Sequence, residues 1–182
     1  MPLDSIDVPD HLYFITSSLI NWTHLFTQHR YAKIILDAFT HYRNQKRLLL
    51  FAYVIMPSHF HAILKPIYEP IGKFIQSYGS FTAHKIIQVL KEDKLWDVLG
   101  IFHNNRRDLR SNYSVWQEIF TENIFSQSFL EQKINYIHQN PTSKELNSNK
   151  DRSNFIYSSA GYYDKGEKPI IELDDINVYL LK

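Results

Sequence analysis

The sequence predicts an α+β sandwich, an antiparallel sheet covered by helices, on three observations. Short runs rich in β-branched and aromatic residues are interspersed with two long amphipathic stretches, without the even alternation of a parallel β/α repeat. Two apolar runs, residues 48–56 and 60–65, are separated by little more than the turn Pro57-Ser58, too short a connection for anything but antiparallel neighbours. No internal repeat and no low-complexity linker interrupts the chain, so one domain is expected over all 182 residues, with a core from about 11 to 163 and an acidic tail from 164 to 182.

Each element has a local reason. Residues 11–21 (HLYFITSSLIN) have strand composition. Over 28–46, Ile34, Ile35, Ala38, Phe39 and Tyr42 recur at helical spacing, which predicts an amphipathic helix with a basic opposite face. Residues 48–56 form a continuous apolar run, the mark of a buried strand, and 60–65 is its partner after the turn. A second long helix is predicted over 71–91 from Phe74, Ile75, Tyr78, Phe81, Ile86, Ile87 and Leu90, with Gly79 a weak point midway. Residues 94–114 are polar and irregular and read as a loop or flap, while 114–124 (SVWQEIFTENI) reads as a short strand or an irregular lead-in. Ser128 followed by Glu131 is a capping-box pattern, so a helix over 129–139 is expected, stopped by Pro141. Asn140, directly before that proline, is expected to lean out of the helical region. Residues 154–163 (NFIYSSAGYY) read as a last strand or an ordered loop packing back on the domain.

Composition narrows the chemistry. With 44% hydrophobic and 21% charged residues the chain is an ordinary globular one. The longest apolar run falls far short of the ~20 residues that span a bilayer, and the start MPLDSIDVPD has no signal-peptide pattern, so a cytoplasmic protein without membrane contact is expected. The absence of cysteine excludes disulfides, thiolate metal sites and a cysteine nucleophile. Any metal must be held by imidazole, amide or carboxylate groups.

The net charge of +1 conceals a segregated distribution. Arg30, Lys33, Arg43, Lys46 and Arg47 cluster on the first helix, Arg106, Arg107 and Arg110 in the polar stretch, and the tail is acidic. Cations interleaved with Tyr31, Tyr42, Tyr113 and Trp116 suit phosphates and unpaired bases, and by charge alone a solvated helix face fits equally well.

Two motifs stand out. An extended His59-Phe60-His61 presents both imidazoles on one face and Phe60 on the other. In a helix, Tyr136 and Asn140 lie one turn apart, and with Lys133 they avoid the apolar stripe of Leu130, Ile134 and Ile137. Taken singly, a His-x-His pair is a common match and a tyrosine usually packs. Taken together they suggest a metal-assisted DNA-cutting site: a phenol is a poor nucleophile at neutral pH, and a cation that polarises the scissile phosphate makes its attack feasible. With no cysteine available, Asn140 is a candidate third ligand. Two imidazoles and an amide also suit Zn²⁺ or Ni²⁺.

The segments MPSHFHAIL, VWQEIF, the YIHQNP run and IYSSAGYY, in this order and spacing, resemble the REP-associated tyrosine transposases, a branch of the single-tyrosine HUH transposases, over about residues 11–163. The resemblance implies a ferredoxin-like sandwich with the His strand central and the Tyr helix across it. It further implies a transposase and endonuclease that cuts and rejoins single-stranded DNA beside a hairpin with Mg²⁺ or Mn²⁺. In that reading His59, His61 and Asn140 are the ligands, Tyr136 is the nucleophile that forms a 5′-phosphotyrosine, and the protein works as a monomer with its tyrosine in cis. Arg43, Lys46, Arg47, Arg106, Arg107, Arg110 and Lys133 are the expected DNA contacts. Two departures are visible: Ser58 stands where the family has Asn, and Thr-Ser-Lys-Glu-Leu follows Asn140-Pro141 where the family has a small-residue stretch. The alternatives are a domesticated hairpin-binding protein that no longer cuts, and an RNA-binding regulator.

Overall fold

A computed structural model describes residues 10–106, 109–142 and 151–177. Its strands are β1 (Leu12–Leu19), β2 (Leu48–Ile55), β3 (His59–Pro66) and β4 (Trp116–Ile124), and its helices are α1 (His29–Asn44), α2 (Ile71–Glu92), α3 (Trp96–Asn104), α4 (Gln127–Gln139) and α5 (Ala160–Lys165). The sheet runs β2-β3-β1-β4 and every pair is antiparallel. Strand, helix, hairpin, helix, strand in this order is the split βαβ arrangement of ferredoxin-like folds, with α1 and α2 as the crossovers and α3 an addition after α2.

Both faces of the sheet are covered, and for that reason β2 and β3 are buried at nearly every position. On one face Phe60, Ala62 and Leu64 of β3 join Ile35, Phe39 and Tyr42 of α1 and Phe74, Tyr78 and Ile86 of α2 in the main core. On the other, Phe14, Val54 and Ile63 pack with Leu130 and Ile137 of α4. A register shift in β2 between Leu50 and Ala52 turns Phe51 and Ala52 together toward the α4 face.

Gly79, the expected weak point, lies inside an unbroken α2. A Cβ there would come within 2.9 Å of Ile119 Cδ1 on β4, and Trp116 Nε1 donates to Gly79 O at 3.2 Å. The missing side chain lets α2 close on the edge strand.

Two expectations are corrected and an open one is decided. The stretch read as a flap contains α3, whose Leu99 and Phe102 are buried; two anchors on a nine-residue helix are too few to stand out from polar neighbours. The N-cap of α4 is Ser126, whose Oγ accepts from Phe129 N at 3.2 Å, two residues before the serine of the capping-box pattern. Of the two readings of residues 154–163, the ordered segment packing back on the domain is the one observed: Ser158 makes a single bridge to Val54, and α5 follows. The acidic tail is also part of the domain, since Ile171 and Ile176 are buried and Asp174 binds Arg43. Among the described residues no helix is long and apolar enough to cross a membrane.

The C-terminal segment covers the outer edge of β2. Ile55 N donates to Tyr157 O at 2.8 Å, Ser159 N to Tyr53 O at 3.0 Å, Tyr163 OH to Phe51 O at 2.9 Å and Asp174 N to Leu50 O at 2.8 Å. Edge groups that would otherwise template another chain are thereby satisfied. The same segment holds α4: His138 Nε2 lies 2.8 Å from Ser159 Oγ, which accepts from Tyr53 N at 3.0 Å.

Burial, reinforced by the Arg152 charge, pushes His138 down to about 4 from the ordinary 6.5. Between those values the unfolded chain binds a proton that the folded chain refuses, so stability falls as pH drops through this window. We expect His138→Gln to reduce the slope of unfolding free energy against pH between 6.5 and 4 by up to about 1.4 kcal/mol per unit. Urea unfolding of both proteins at a series of pH values measures it.

Candidate active site

β3 lies between β2 and β1, and its pleat sorts the His-x-His motif as its alternation requires. Phe60 points into the main core, edge-on to Phe39 and Trp116 with ring centroids 5.7 Å away in each case. His59 and His61 point to the α4 face, 7% and 4% exposed, their ring centroids 5.0 Å apart.

The neighbouring strand orients one ring. Thr16 of β1 is directly across from His61, and its Oγ1 is 2.7 Å from His61 Nδ1. If Nδ1 donates to that hydroxyl, the tautomer is set with the Nε2 lone pair available for an ion. Ser58 Oγ is 3.3 Å from His59 Nδ1, so the serine that replaces the family's Asn does touch the first histidine. Burial above all, then the His59 and Lys133 charges, pushes His61 down to about 3. A ring that stays neutral at physiological pH is the form a metal binds.

α4 delivers the tyrosine. Leu130 and Ile137 bury its apolar stripe, and this rotation places Tyr136 at the rim of the helix-sheet contact, 50% exposed. The Tyr136 ring meets His61 edge-on at 5.2 Å and Phe14 at 5.9 Å. Lys133, one turn earlier, has its Nζ 4.4 Å from the Phe14 ring centre and 6.0 Å from that of Tyr136, with Glu122 Oε2 at 2.6 Å. Asn140 does not lean out of the helix. Its φ of −52° and ψ of −44° are helical, and the chain continues as a 3₁₀ turn over Asn140–Thr142. Buried Pro141 and the Thr142 Oγ1 bond to Gln139 O at 2.8 Å override the pre-proline bias and keep Asn140 one turn from Tyr136.

As an ion site, two imidazoles side by side on one face of β3, with His61 held neutral by burial, fit a divalent cation. Among the described residues no cluster of three or more His, Cys, Asp or Glu residues adds a further ligand. Asn140, the amide expected to complete the pair, is at the C-cap of α4, one turn beyond Tyr136.

Sequence reasoning missed one residue. Trp22, just beyond β1, is 52% exposed and stands edge-on to His59 with ring centroids 5.7 Å apart. Its only sequence signal was a tryptophan at the end of a strand-like run. Trp22, His59, His61 and Tyr136 thus form a continuous row of rings, exposed at both ends.

No family model matches the chain, and neither does any curated protein sequence. Among solved structures the chain is similar to the REP-associated tyrosine transposase bound to a REP hairpin, with a TM-score of 0.65 and 15% identity over 97% of this chain and 93% of that one. The chain has the fold of that transposase. A protein from Deinococcus radiodurans R1 described as a transposase is also similar, with a TM-score of 0.48 and 16% identity over 76% of this chain and 97% of the other.

On this tyrosine-transposase fold the expected DNA contacts are scattered. Lys133 is beside Tyr136. Arg43 and Arg47 belong to the α1 end, across the sheet from α4, and both are held by carboxylates: Arg43 Nε by Asp174 at 2.9 Å, and Arg47 by both oxygens of Glu69 at 2.8 and 2.9 Å. Lys46 is exposed between them at a φ of 55°. Arg106 donates to His103 O at 2.6 Å, and Arg107 lies outside the described residues. Arg110 lines a groove of about 510 Å³ beside α2 with His84, Lys91 and Tyr113.

The opposed faces of β3 make a testable distinction. His61→Ala is expected to abolish Mn²⁺ binding in a calorimetric titration. Phe60→Leu should retain it while losing about 1 to 2 kcal/mol of stability, the order for a modest core truncation.

Proposed function

We propose that this protein is a metal-dependent DNA transposase and endonuclease that cleaves and rejoins single-stranded DNA beside hairpins. The observation that carries the reading is the contact of Tyr136 with His61: two motifs far apart in sequence meet at one partly open site, with the phenol at its mouth. The solved relative in fold was captured with a REP hairpin, which supports the same class of substrate here.

In this reading His59, His61 and Asn140 would hold Mg²⁺ or Mn²⁺, which when bound supplies positive charge that polarises the scissile phosphate. Tyr136 attacks phosphorus through its hydroxyl oxygen. The phosphorus–O3′ bond breaks, and the phenolic proton, relayed through solvent, ends on the departing oxygen, so that the strand leaves as a 3′-hydroxyl. The product is a 5′-phosphotyrosine. Its formation exchanges one phosphodiester for another, so a 3′-hydroxyl from a second strand reverses the attack and joins DNA without an external energy source.

The chain's own residues supply the positioning. His61 and Phe14 hold the Tyr136 ring from the sheet side and leave its other side open to DNA. Lys133 brings a cation to the same ridge, its charge partly offset by Glu122. That Tyr136 meets a histidine of its own chain supports action in cis by a monomer.

Tyr136→Phe is expected to bind hairpin DNA with affinity near that of the unaltered protein and to form no covalent adduct. A denaturing gel with labelled DNA and RNA hairpins reads both the chemistry and the sugar preference; an adduct on the variant would remove Tyr136 from its role. Cutting of the RNA hairpin alone would favour a different nucleic acid.

Arg110 in its groove motivates the phosphate contacts away from the metal pair. Replacing Arg106, Arg107 and Arg110 by Ala should flatten the plot of log affinity against log salt by about 0.7 to 0.9 for each phosphate that is no longer neutralised. Cutting of saturating DNA should stay close to the unaltered rate.

A further inference from the structure

The row of rings does not end at the histidines. On the side of His59 away from Tyr136 stands Trp22, half exposed, its ring edge-on to that histidine at a centroid distance of 5.7 Å. The backbone holds this ring in an unusual way. Asn21 and Trp22 both have a φ of 51°, two consecutive residues other than glycine in the left-handed region. For a residue as bulky as tryptophan that conformation is an outlier which the surrounding structure has to enforce.

The enforcement is visible. Leu19 N donates to Ser58 O at 2.9 Å and Phe26 N to Pro57 O at 2.9 Å, so the segment carrying Trp22 is tied on both sides to the turn that leads into His59. Ile20 N donates to Val115 O at 2.9 Å, and a register shift between Ser18 and Leu19 bends β1 where it enters the segment. Leu25 and Phe26, just beyond, are buried, whereas Trp22 keeps half of its surface in solvent. A tryptophan needed only for packing would turn inward with them. This one is fixed in place with its surface still open.

We infer that Trp22 is a base-stacking platform, holding one unpaired nucleobase of the DNA strand next to the phosphate that Tyr136 attacks. The inference rests on the function proposed above and adds a substrate contact to the same site. Tyr136 at one end of the row and Trp22 at the other bracket the histidine pair, so a strand whose phosphate sits at the pair runs toward the tryptophan on one side. An indole face suits an unpaired base of any sequence, because every base offers a π-surface. A stacked base sets how far the strand can slide and therefore which phosphate faces the tyrosine.

The test uses hairpin DNA with a single-stranded flank in which each flank nucleotide in turn is made abasic. Affinity is measured by fluorescence anisotropy with Mg²⁺, in a Tyr136→Phe background so that nothing is cut. One abasic position should weaken binding about 5- to 150-fold, the range for one stacked base. With Trp22→Ala added, the intact flank should bind that much more weakly and the abasic position should cost nothing further. Trp22→Phe, which keeps a ring, should restore most of the loss. In proteins with Tyr136 intact, Trp22→Ala should spread cleavage over neighbouring phosphates while the covalent adduct still forms.

An abasic penalty that persists in Trp22→Ala, or a hairpin that binds with no abasic penalty anywhere, overturns the role of Trp22 and leaves the proposed enzyme standing. Failure of the Tyr136→Phe background to bind any hairpin overturns both. Thermal unfolding of each variant separates the removal of stacking from a failure to fold, and Trp22→Leu, which fills part of the space without a π-face, carries the test if the Ala variant does not fold.

Discussion

The pairing of β3 with a partner on each side is the constraint on which the site depends. Hydrogen bonds to β2 and to β1 set the register of His59–Pro66 from both edges, and the pleat then allots its side chains to opposite layers. A slip of one residue would put Phe60 against α4 and the imidazoles into an aromatic core with no group to accept them. Phe60, Phe39 and Tyr78 thus guard the geometry of the histidine pair from the other side of the sheet. The core and the site share one strand, so stability of the fold and orientation of the histidines are coupled.

The second requirement is the rotation of α4. Ile137 and Leu130 set it by burial, and His138 adds a polar stop through Ser159, which is anchored on the β2 backbone. The C-terminal segment therefore has two tasks with one set of bonds. It closes the exposed edge of the sheet, and it fixes which side of the helix faces His61. Asn135 takes part at the far side of the helix, accepting from Arg152 at 2.7 Å, while Arg152 also grips Asp164 through two bonds of 2.7 and 2.8 Å. Residues that look peripheral to the chemistry are thus those that aim the tyrosine.

Charge is arranged with less freedom than the composition implies. Of the cations expected on the first helix, Arg43 and Arg47 are held by carboxylates from the C-terminal segment and the β3–α2 connection. Such bidentate, partly buried pairs mainly order the chain, and a guanidinium already held by a carboxylate has less to offer a phosphate. Lys133 shows the same economy beside Tyr136, where Glu122 offsets part of its charge.

Much of this was legible in the sequence. The two long helices, the hairpin around Pro57-Ser58, and the division of His59 and His61 from Phe60 all follow from periodicities of 3.6 and 2, which are local properties of a backbone that repeats. The motif order also carried the resemblance that the fold bears out. What periodicity does not encode is which distant groups meet. The flap concealed α3 because its two anchors are meaningful only once a core is there to receive them. IYSSAGYY, readable as a strand or an ordered loop, is a strap, since its Ser159 acts through bonds to Tyr53 and His138 that no local pattern announces. Asn140 is helical against the bias of its proline because Pro141 is buried, and Trp22 faces solvent because a turn elsewhere in the chain holds its backbone. Sequence by itself determined the long elements and the chemical types of the site residues, which depend on neighbours within a few positions. Tertiary structure alone decided which of those residues meet and which of the charges are already taken, because both depend on partners brought together only when the sheet closes.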